Sequence, residues 1–212
     1  MTVISLVSKK SEDRYHEVGR NDELVAEFES AWGRVFIFYL NNRFILPALL
    51  SSMGHEQYMK EALKEAELAL HEGNWPIGCV IVQDNAIIAR NHSQSYSLQD
   101  RMAHAEMLAL QQAQPFLYGK PKTAILYTTY EPCPMCFGAA VLSRIETVVC
   151  GVDLDQSGAM YFRHHLPLLF KQDSFSINFI TGILESECVT LFMQSEHAQR
   201  LLRAGVITRE RH

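Results

Sequence analysis

Two short motifs constrain this chain more than any other feature. The first is His104-Ala105-Glu106, and the second, one apolar segment later, is Pro132-Cys133-Pro134-Met135-Cys136. Together they offer one imidazole and two thiolates, a ligand set that suits tetrahedral zinc and leaves the fourth position open to water. The sequence has no second Cys-x-x-Cys and no His-x-x-x-His pair to close such a site. We therefore predict a catalytic zinc site, one ion per chain, with His104, Cys133 and Cys136 as ligands.

Glu106 is the predicted catalytic group. It lies two positions after His104, so on a helix that begins nearby it points to a different side from the ligand. We expect Glu106 to reach the bound water without occupying the metal and to act as general acid and base. A lone His-x-Glu on a helix is usually a pair of solvated polar side chains, and a lone Cys-x-x-Cys fits a redox pair or half a zinc finger equally well. The combination in this order favours a zinc hydrolase over a structural zinc site.

The composition describes an ordinary globular protein and sets limits on its partners. Of 212 residues, 48% are hydrophobic and 20% charged, which suits one main domain. The net charge of -5 gives no protein-wide positive field for nucleic acid, although four arginines near the C-terminus form a local basic cluster. The five cysteines show no disulfide-like clustering, and residues 1–20 lack the apolar core of a secretory signal. These features predict a cytoplasmic protein.

Residues 1–52 form an N-terminal extension of uncertain role. The segment 31–50 is strongly apolar, but Arg34, Asn41, Asn42 and Arg43 interrupt it. A membrane span needs about 20 predominantly apolar residues, so we expect no membrane association. The remaining options are an amphipathic helical extension that packs on the domain or a partner, and a stretch that precedes the true start of the protein.

From residue 53 onward, helical and strand patterns alternate. Apolar residues recur at helical spacing between 55 and 72, and Gly73 is placed to end that helix. Further helices are predicted at 104–113, 134–144, 164–170 and 184–193, and strands at 76–82, 86–90, 123–129, 146–152 and 176–181. The alternation predicts an α/β fold, a three-layer α/β/α sandwich with a mixed five-stranded sheet. We assign it to residues 53–195, followed by a C-terminal tail over 196–212.

Residues 55 to about 195 resemble the cytidine deaminase-like superfamily, and most closely the bacterial tRNA-specific adenosine deaminases. Beyond the two zinc motifs, the matching residues are Trp75-Pro76-Ile77-Gly78, Asp100, Glu131, Gly138-Ala139, Ser143-Arg144-Ile145, Gly182-Ile183-Leu184 and Glu187-Cys188. The resemblance implies a zinc-dependent hydrolytic deaminase and a homodimer. It also implies two substrate contacts, a hydrogen bond from Asn91 to the target base and another from the backbone N–H of Ala105.

The sequence departs from the tRNA deaminase pattern at two places. Arg101 and Met102 replace the usual proline and threonine, and the run 153–159 lacks the usual lysine. Relatives with nearly the same motifs act on free guanine or cytosine. The resemblance implies deamination of an amino-purine with release of ammonia. Adenosine is the first candidate substrate, in particular the wobble adenosine of tRNA, which would become inosine. Deamination of a free base or nucleoside (guanine, cytosine or adenine) is the alternative, and a catalytically silent zinc-binding partner subunit is the third option.

Overall fold

The computed structural model describes residues 14–20, 23–30, 33–40, 43–44, 46–153, 158–159 and 176–204, with side chains from residue 54 onward. The helix predicted at 164–170 lies outside these ranges. The chain forms two compact units, one ending at Met53 and one beginning at Gly54. Within the described ranges, no helix has the length and apolar character that a membrane crossing requires.

The first unit contains a four-stranded antiparallel sheet in the order β1-β2-β3-β4. Its strands are β1 (Arg14–Arg20), β2 (Glu23–Ser30), β3 (Gly33–Leu40) and β4 (Arg43–Phe44). Of the two options left open for residues 1–52, the helical extension is therefore wrong for residues 33–40, which form a strand. Five consecutive β-branched and aromatic residues, 35–39, favour an extended backbone, and β3 pairs along its length with β2. A helix begins only at Leu46.

The second unit is built on a mixed five-stranded sheet, as predicted. Helix α1 (Leu46–His71) leads into the hairpin β5 (Gly78–Gln83) and β6 (Ala86–His92). The elements that follow are α2 (Ala105–Leu117), β7 (Ile125–Tyr130), α3 (Pro134–Leu142), β8 (Thr147–Val152), β9 (Asn178–Ile180), α4 (Glu185–Met193) and α5 (Glu196–Arg203). The strand order is β6-β5-β7-β8-β9, with β5 antiparallel to both neighbours and β7, β8 and β9 parallel.

Two local signals act as the sequence predicted. Asp84 and Asn85 both have positive φ, 51° and 61°, the conformation of a two-residue turn whose twist matches a β-hairpin. Gly73 has a φ of 77°, and its N–H bonds the carbonyl of Leu70, which ends the first long helix.

The predicted three-layer arrangement is confirmed by how side chains alternate along β5. Cys79 and Ile81 face the core formed with α2 and α3, whereas Val80 and Val82 face the core that contains α1 and α4 residues. Both faces of β5 are thus covered by helices. This is why β5 is an unbroken apolar run and does not alternate apolar with polar residues.

Gly78 allows α1 to lie unusually close to the start of β5. A Cβ atom at this position would lie 2.0 Å from the carbonyl oxygen of Ala62 and 2.4 Å from the backbone nitrogen of Ala66. Both helix residues are alanines and are fully buried. Small residues on both sides bring the two backbones into contact and fix the position of β5, whose partner strand β7 leads to the second motif.

Candidate active site

The two sequence motifs meet at the N-termini of two helices. His104 is the N-cap of α2, and Cys133 is the N-cap of α3, with Cys136 in the first turn of α3. Pro134 opens α3, where its missing N–H costs little. The Nδ1 atom of His104 lies 3.7 Å from the Cys133 sulfur and 3.5 Å from the Cys136 sulfur, and the two sulfurs are 3.6 Å apart.

These three separations match a tetrahedral zinc site. With zinc bonds of about 2.3 Å to sulfur and about 2.0–2.1 Å to nitrogen, the edges of a tetrahedron are about 3.8 Å between sulfurs and about 3.5 Å between sulfur and nitrogen. His104, Cys133 and Cys136 are also the one group of three or more potential metal ligands found among the described residues. Zinc is the cofactor that this set of one imidazole and two thiols fits.

The surroundings of Cys133 favour the thiolate that a metal ligand must be. Its hydrogen bond with Cys136, followed by its hydrogen bond with His104, lowers the pKa of the Cys133 thiol to about 4. The partial positive charge at the N-terminus of α3 acts in the same direction. Because Cys133 bonds His104, the pKa of that imidazole is raised. The three groups therefore interact directly with one another.

Glu106 lies in the first turn of α2, beside the ligands and outside their set. Its side chain is only 4% exposed, and burial raises the pKa of its carboxyl. The Thr128 hydroxyl on β7 donates a hydrogen bond of 3.2 Å to its Oε1. The pKa of Cys136 is raised by its bond with Cys133, by burial and, further, by the Glu106 carboxylate, which lies close to that sulfur. A buried proton-carrying group therefore lies next to the metal ligands.

Asn91 lies on the same face of the sheet as Glu106. It pairs with Cys79 on β5, which pairs with Thr128 on β7, so the three form one row across the sheet. Side chains in such a row share a face, and adjacent strands are about 4.8 Å apart. The Oδ1 of Asn91 accepts hydrogen bonds from the His92 N–H at 3.0 Å and the Gln94 amide at 2.8 Å. Its Nδ2 donates to no group in the described part of the chain.

Ala105 is the first residue of α2 and is fully buried. The first four N–H groups of a helix have no acceptor within the helix, so the Ala105 N–H is available to a ligand at this end. The structure thus places His104, Ala105 and Glu106 at the start of α2, beside the two cysteines at the start of α3. Asn91 approaches the same region from the sheet.

Two contacts near the site were not foreseen from the sequence. Thr128 bonds Glu106, and the available signal was a polar residue in an otherwise apolar strand. His92 lies between one carboxylate of α1 and one just after it, with Nδ1 3.2 Å from Glu65 and Nε2 3.0 Å from Glu72. This fixes the end of β6 next to Asn91.

Comparison with known proteins places these residues among known zinc enzymes. Residues 52–152 match the family described as the cytidine and deoxycytidylate deaminase zinc-binding region. The tRNA-specific adenosine deaminase of Bacillus subtilis (strain 168) is 43% identical over 136 residues, which cover 63% of this chain and 83% of the relative. The same-named protein of Streptococcus pyogenes serotype M1 is 32% identical over 151 residues, 69% of this chain and 88% of the relative.

Solved structures give the same fold with two different substrates. A structure from studies of A-to-I editing by tRNA:A34 deaminases at the wobble position is 30% identical, with a TM-score of 0.54, over 64% of this chain and 98% of that one. The guanine deaminase from Nitrosomonas europaea is 25% identical, with a TM-score of 0.53, over 66% of this chain and 82% of that one. The backbone alone therefore does not separate the two activities.

Proposed function

Because the chain belongs to the cytidine deaminase-like superfamily of zinc-dependent hydrolytic deaminases, we propose that it converts the wobble adenosine of tRNA to inosine and releases ammonia. The observation that carries this choice of substrate is the 43% identity to the Bacillus subtilis tRNA-specific adenosine deaminase over 83% of that protein. The intact pair of motifs, with Glu106 beside the three ligand residues, supports an active enzyme over a silent zinc-binding subunit.

The geometry of the site supports the proposed roles. His104, Cys133 and Cys136 would hold the zinc ion. When bound by three protein ligands, zinc would supply the acidity that brings the pKa of a water molecule to about 7. Glu106 accepts a proton from the attacking water through the carboxylate oxygen that is not bonded to Thr128. It returns a proton to the ring nitrogen beside the amino-bearing carbon as the water oxygen bonds to that carbon. It then passes the second proton of the water to the amine, the carbon–nitrogen bond breaks, and water and adenosine have given inosine and ammonia.

The base is oriented by groups that do not react. In this proposal the Nδ2 of Asn91 donates to an acceptor on the purine, while its Oδ1 stays bonded to Gln94 and to the His92 N–H. The Ala105 N–H supplies a second donor at the start of α2. Two fixed donors from different elements hold the purine in one orientation. The amino-bearing carbon then lies toward the metal ligands and Glu106.

We also propose that the enzyme works in the cytoplasm as a homodimer with tRNA as its macromolecular partner. The tRNA assignment is supported by the relatives' substrate, and the dimer by the family resemblance. Described cysteines form no disulfides, in keeping with a reducing compartment.

The test is a substrate panel on the purified protein. It is incubated with tRNA, with an anticodon stem-loop, and with adenine, guanine, cytosine and their nucleosides, while ammonia and deaminated product are measured. We expect inosine at the wobble position and turnover only with RNA. A Glu106→Gln protein prepared in parallel excludes a contaminating deaminase.

Deamination of a free base is the second candidate, and the fold similarity to the Nitrosomonas europaea guanine deaminase favours it. Ammonia release from guanine or another free base, without product from RNA, would replace the tRNA proposal. Ammonia release from no substrate in the panel would favour the silent subunit.

A further inference from the structure

Tyr96 presents an exposed aromatic ring whose orientation is fixed from behind. The side chain is 50% exposed, yet its ring lies parallel to the His197 imidazole on α5, with centroids 4.0 Å apart and planes 12° apart. Trp75 contacts the same imidazole, at 4.9 Å, and stacks on Phe192 at 5.5 Å. One face of the Tyr96 ring is covered by His197, so the exposed area belongs to the other face and the edges.

The backbone around this ring is also held in place. The buried side chain of Asn74 accepts hydrogen bonds from the N–H groups of Tyr96 and Ser97, at 2.9 and 3.0 Å. The Nε2 of His197 lies 3.1 Å from the Gly73 carbonyl oxygen, which fixes the imidazole. We call Tyr96 and His197 together the aromatic platform. Holding a half-exposed ring in one orientation costs conformational entropy.

The aromatic platform lies at the same edge of the sheet as the candidate active site. Trp75 precedes β5, and β5 runs antiparallel to β7, so the start of β5 and the end of β7 share one edge. The chain leaves β7 at this edge and reaches Cys133 three residues later. The loop that carries Tyr96 ends at His104, and the Gln94 N–H bonds the Ala103 carbonyl oxygen to close it. Tyr96 therefore lies on the loop that delivers a proposed zinc ligand.

The charge near the platform suits a polyanion. Helix α5, which carries His197, also exposes Arg200 and Arg203. Over residues 196–203 this helix has two arginines against one glutamate, Glu196, which forms an ion pair with Arg200 at 3.1 Å, whereas the whole chain has a net charge of -5. A nucleotide has both a base that stacks on an aromatic face and a phosphate that attracts arginine. A free base held in the active site would need neither.

We propose that the exposed face of Tyr96, backed by His197, stacks on a nucleotide next to the target adenosine in the single-stranded loop of the RNA. This inference rests on the proposed function, because it requires an RNA substrate. Stacking of one base on one aromatic side chain is worth roughly 5- to 150-fold in affinity. The aromatic platform thus adds affinity for the RNA strand at a point where no base-specific hydrogen bond is needed.

The first experiment compares substitutions in the same loop, with the anticodon stem-loop as substrate. We expect Tyr96→Ala to lower kcat/KM by roughly 5- to 150-fold, mainly through KM, because stacking holds the RNA before and during reaction. Tyr96→Phe should restore most of the loss, since the ring is kept. Leu98→Ala removes another exposed apolar side chain, 57% exposed, and should leave kcat/KM at the wild-type value. Zinc content and thermal unfolding are measured on all three proteins.

The second experiment removes the base instead of the ring. Abasic nucleotides are placed in turn on either side of the target adenosine and tested with wild type and Tyr96→Ala. At one position we expect the abasic substitution to lower the activity of the wild type but to leave the already reduced activity of Tyr96→Ala unchanged. A purely structural role of Tyr96 would not produce this non-additive result.

Each contrary result has a distinct meaning. If the loss caused by Tyr96→Ala and the loss caused by the abasic nucleotide multiply at both positions, the proposed stacking is wrong. A Tyr96→Ala protein with altered oligomeric mass would make the platform a subunit contact and not an RNA site. If wild type deaminates the stem-loop and Tyr96→Ala does so equally well, only the platform is wrong. If wild type does not act on RNA at all, the proposed function fails and the platform proposal with it.

Discussion

The hydroxyl of Thr128 donates a 3.2 Å hydrogen bond to Oε1 of Glu106, and both side chains are buried. This contact joins the middle of β7 to the first turn of α2, so it ties the sheet to the helix that carries the proposed acid and base. It also holds one carboxylate oxygen of Glu106 in a fixed position. We infer that Thr128 is a positioning residue for Glu106.

Replacing Thr128 by valine tests that role. The change keeps the branched shape and removes the donor, and hydrogen bonds to charged groups contribute about 1.5–3 kcal/mol. We expect kcat to fall by roughly 10- to 150-fold while zinc content stays at one per chain. Thr128→Ser keeps the hydroxyl and should retain most of the activity. Equal kcat values for the valine variant and wild type would show that Glu106 needs no support from β7.

Glu106 and His104 should separate chemistry from metal binding. Glu106→Gln keeps the size of the side chain and removes proton transfer, so zinc and fold should remain while activity falls by at least roughly 10²- to 10⁴-fold. His104→Ala should lose zinc and activity together. Zinc content, thermal stability and turnover are measured on the same preparations. Near-normal turnover of Glu106→Gln refutes the mechanism, and loss of zinc from it makes Glu106 structural.

The metal assignment predicts one zinc per chain as purified. Cys133→Ser and Cys136→Ser should each lower the zinc content sharply and reduce the melting temperature, because metal binding and folding are coupled. Cys188→Ala is the matched control, since Cys188 is a buried free cysteine of α4 in the core on the α1 side of the sheet. It should lose some stability and keep its zinc. Full zinc retention in both serine variants would contradict the ligand set.

The sequence predicted the architecture of the second unit because its signals are local. Apolar periodicity, the Asp84-Asn85 turn and the Gly73 helix end each depend on neighbouring residues, and all appear in the structure. The ends of helices were less predictable. Helix α1 begins nine residues before its predicted start at 55, and α2 continues beyond residue 113 to Leu117. In the first unit, β3 was not predicted as a strand. Its apolar residues form a continuous run, which lacks the alternation of apolar and polar residues that distinguishes a strand from a buried helix.

The site was predictable only as far as its motifs reach. His104, Cys133, Cys136 and Glu106 are marked by short spacings, and the structure brings them together. The Thr128 contact depends on how β7 packs against α2, which no spacing records. The stack of Tyr96 on His197 joins residues 101 positions apart, and residues 196–203, assigned to a tail, form the helix that supplies His197. Such contacts depend on tertiary packing.

Gly78 offers a stability test of the α1 contact. Gly78→Ala places a methyl group 2.0 Å from the Ala62 carbonyl oxygen, and backbone atoms on both sides cannot move independently. We expect overpacking to cost about 1–3 kcal/mol or more in the free energy of unfolding. Gly54→Ala, in the same helix α1 with nothing within 4 Å of the added carbon, should be stabilising by about 0.5–1 kcal/mol. Denaturant unfolding of both variants decides the point, and equal stabilities would show that α1 adjusts freely.

A protein that begins at Met53 tests whether the extension takes part in the chemistry. We propose that the deaminase domain spans 53–195 and that residues 1–52 are dispensable for turnover. Among the described side chains of α1, the apolar ones buried in the core are Met59, Ala62, Ala66 and Ala69, and the shortened protein keeps all four. The 2.8 Å hydrogen bond between His55 and the Tyr127 hydroxyl is likewise retained. We expect the shortened protein to unfold cooperatively, bind one zinc and match full-length kcat on the stem-loop. A folded, zinc-loaded but inactive protein would instead place residues 1–52 in the site or in the active assembly, because neither the core nor the metal would then explain the loss.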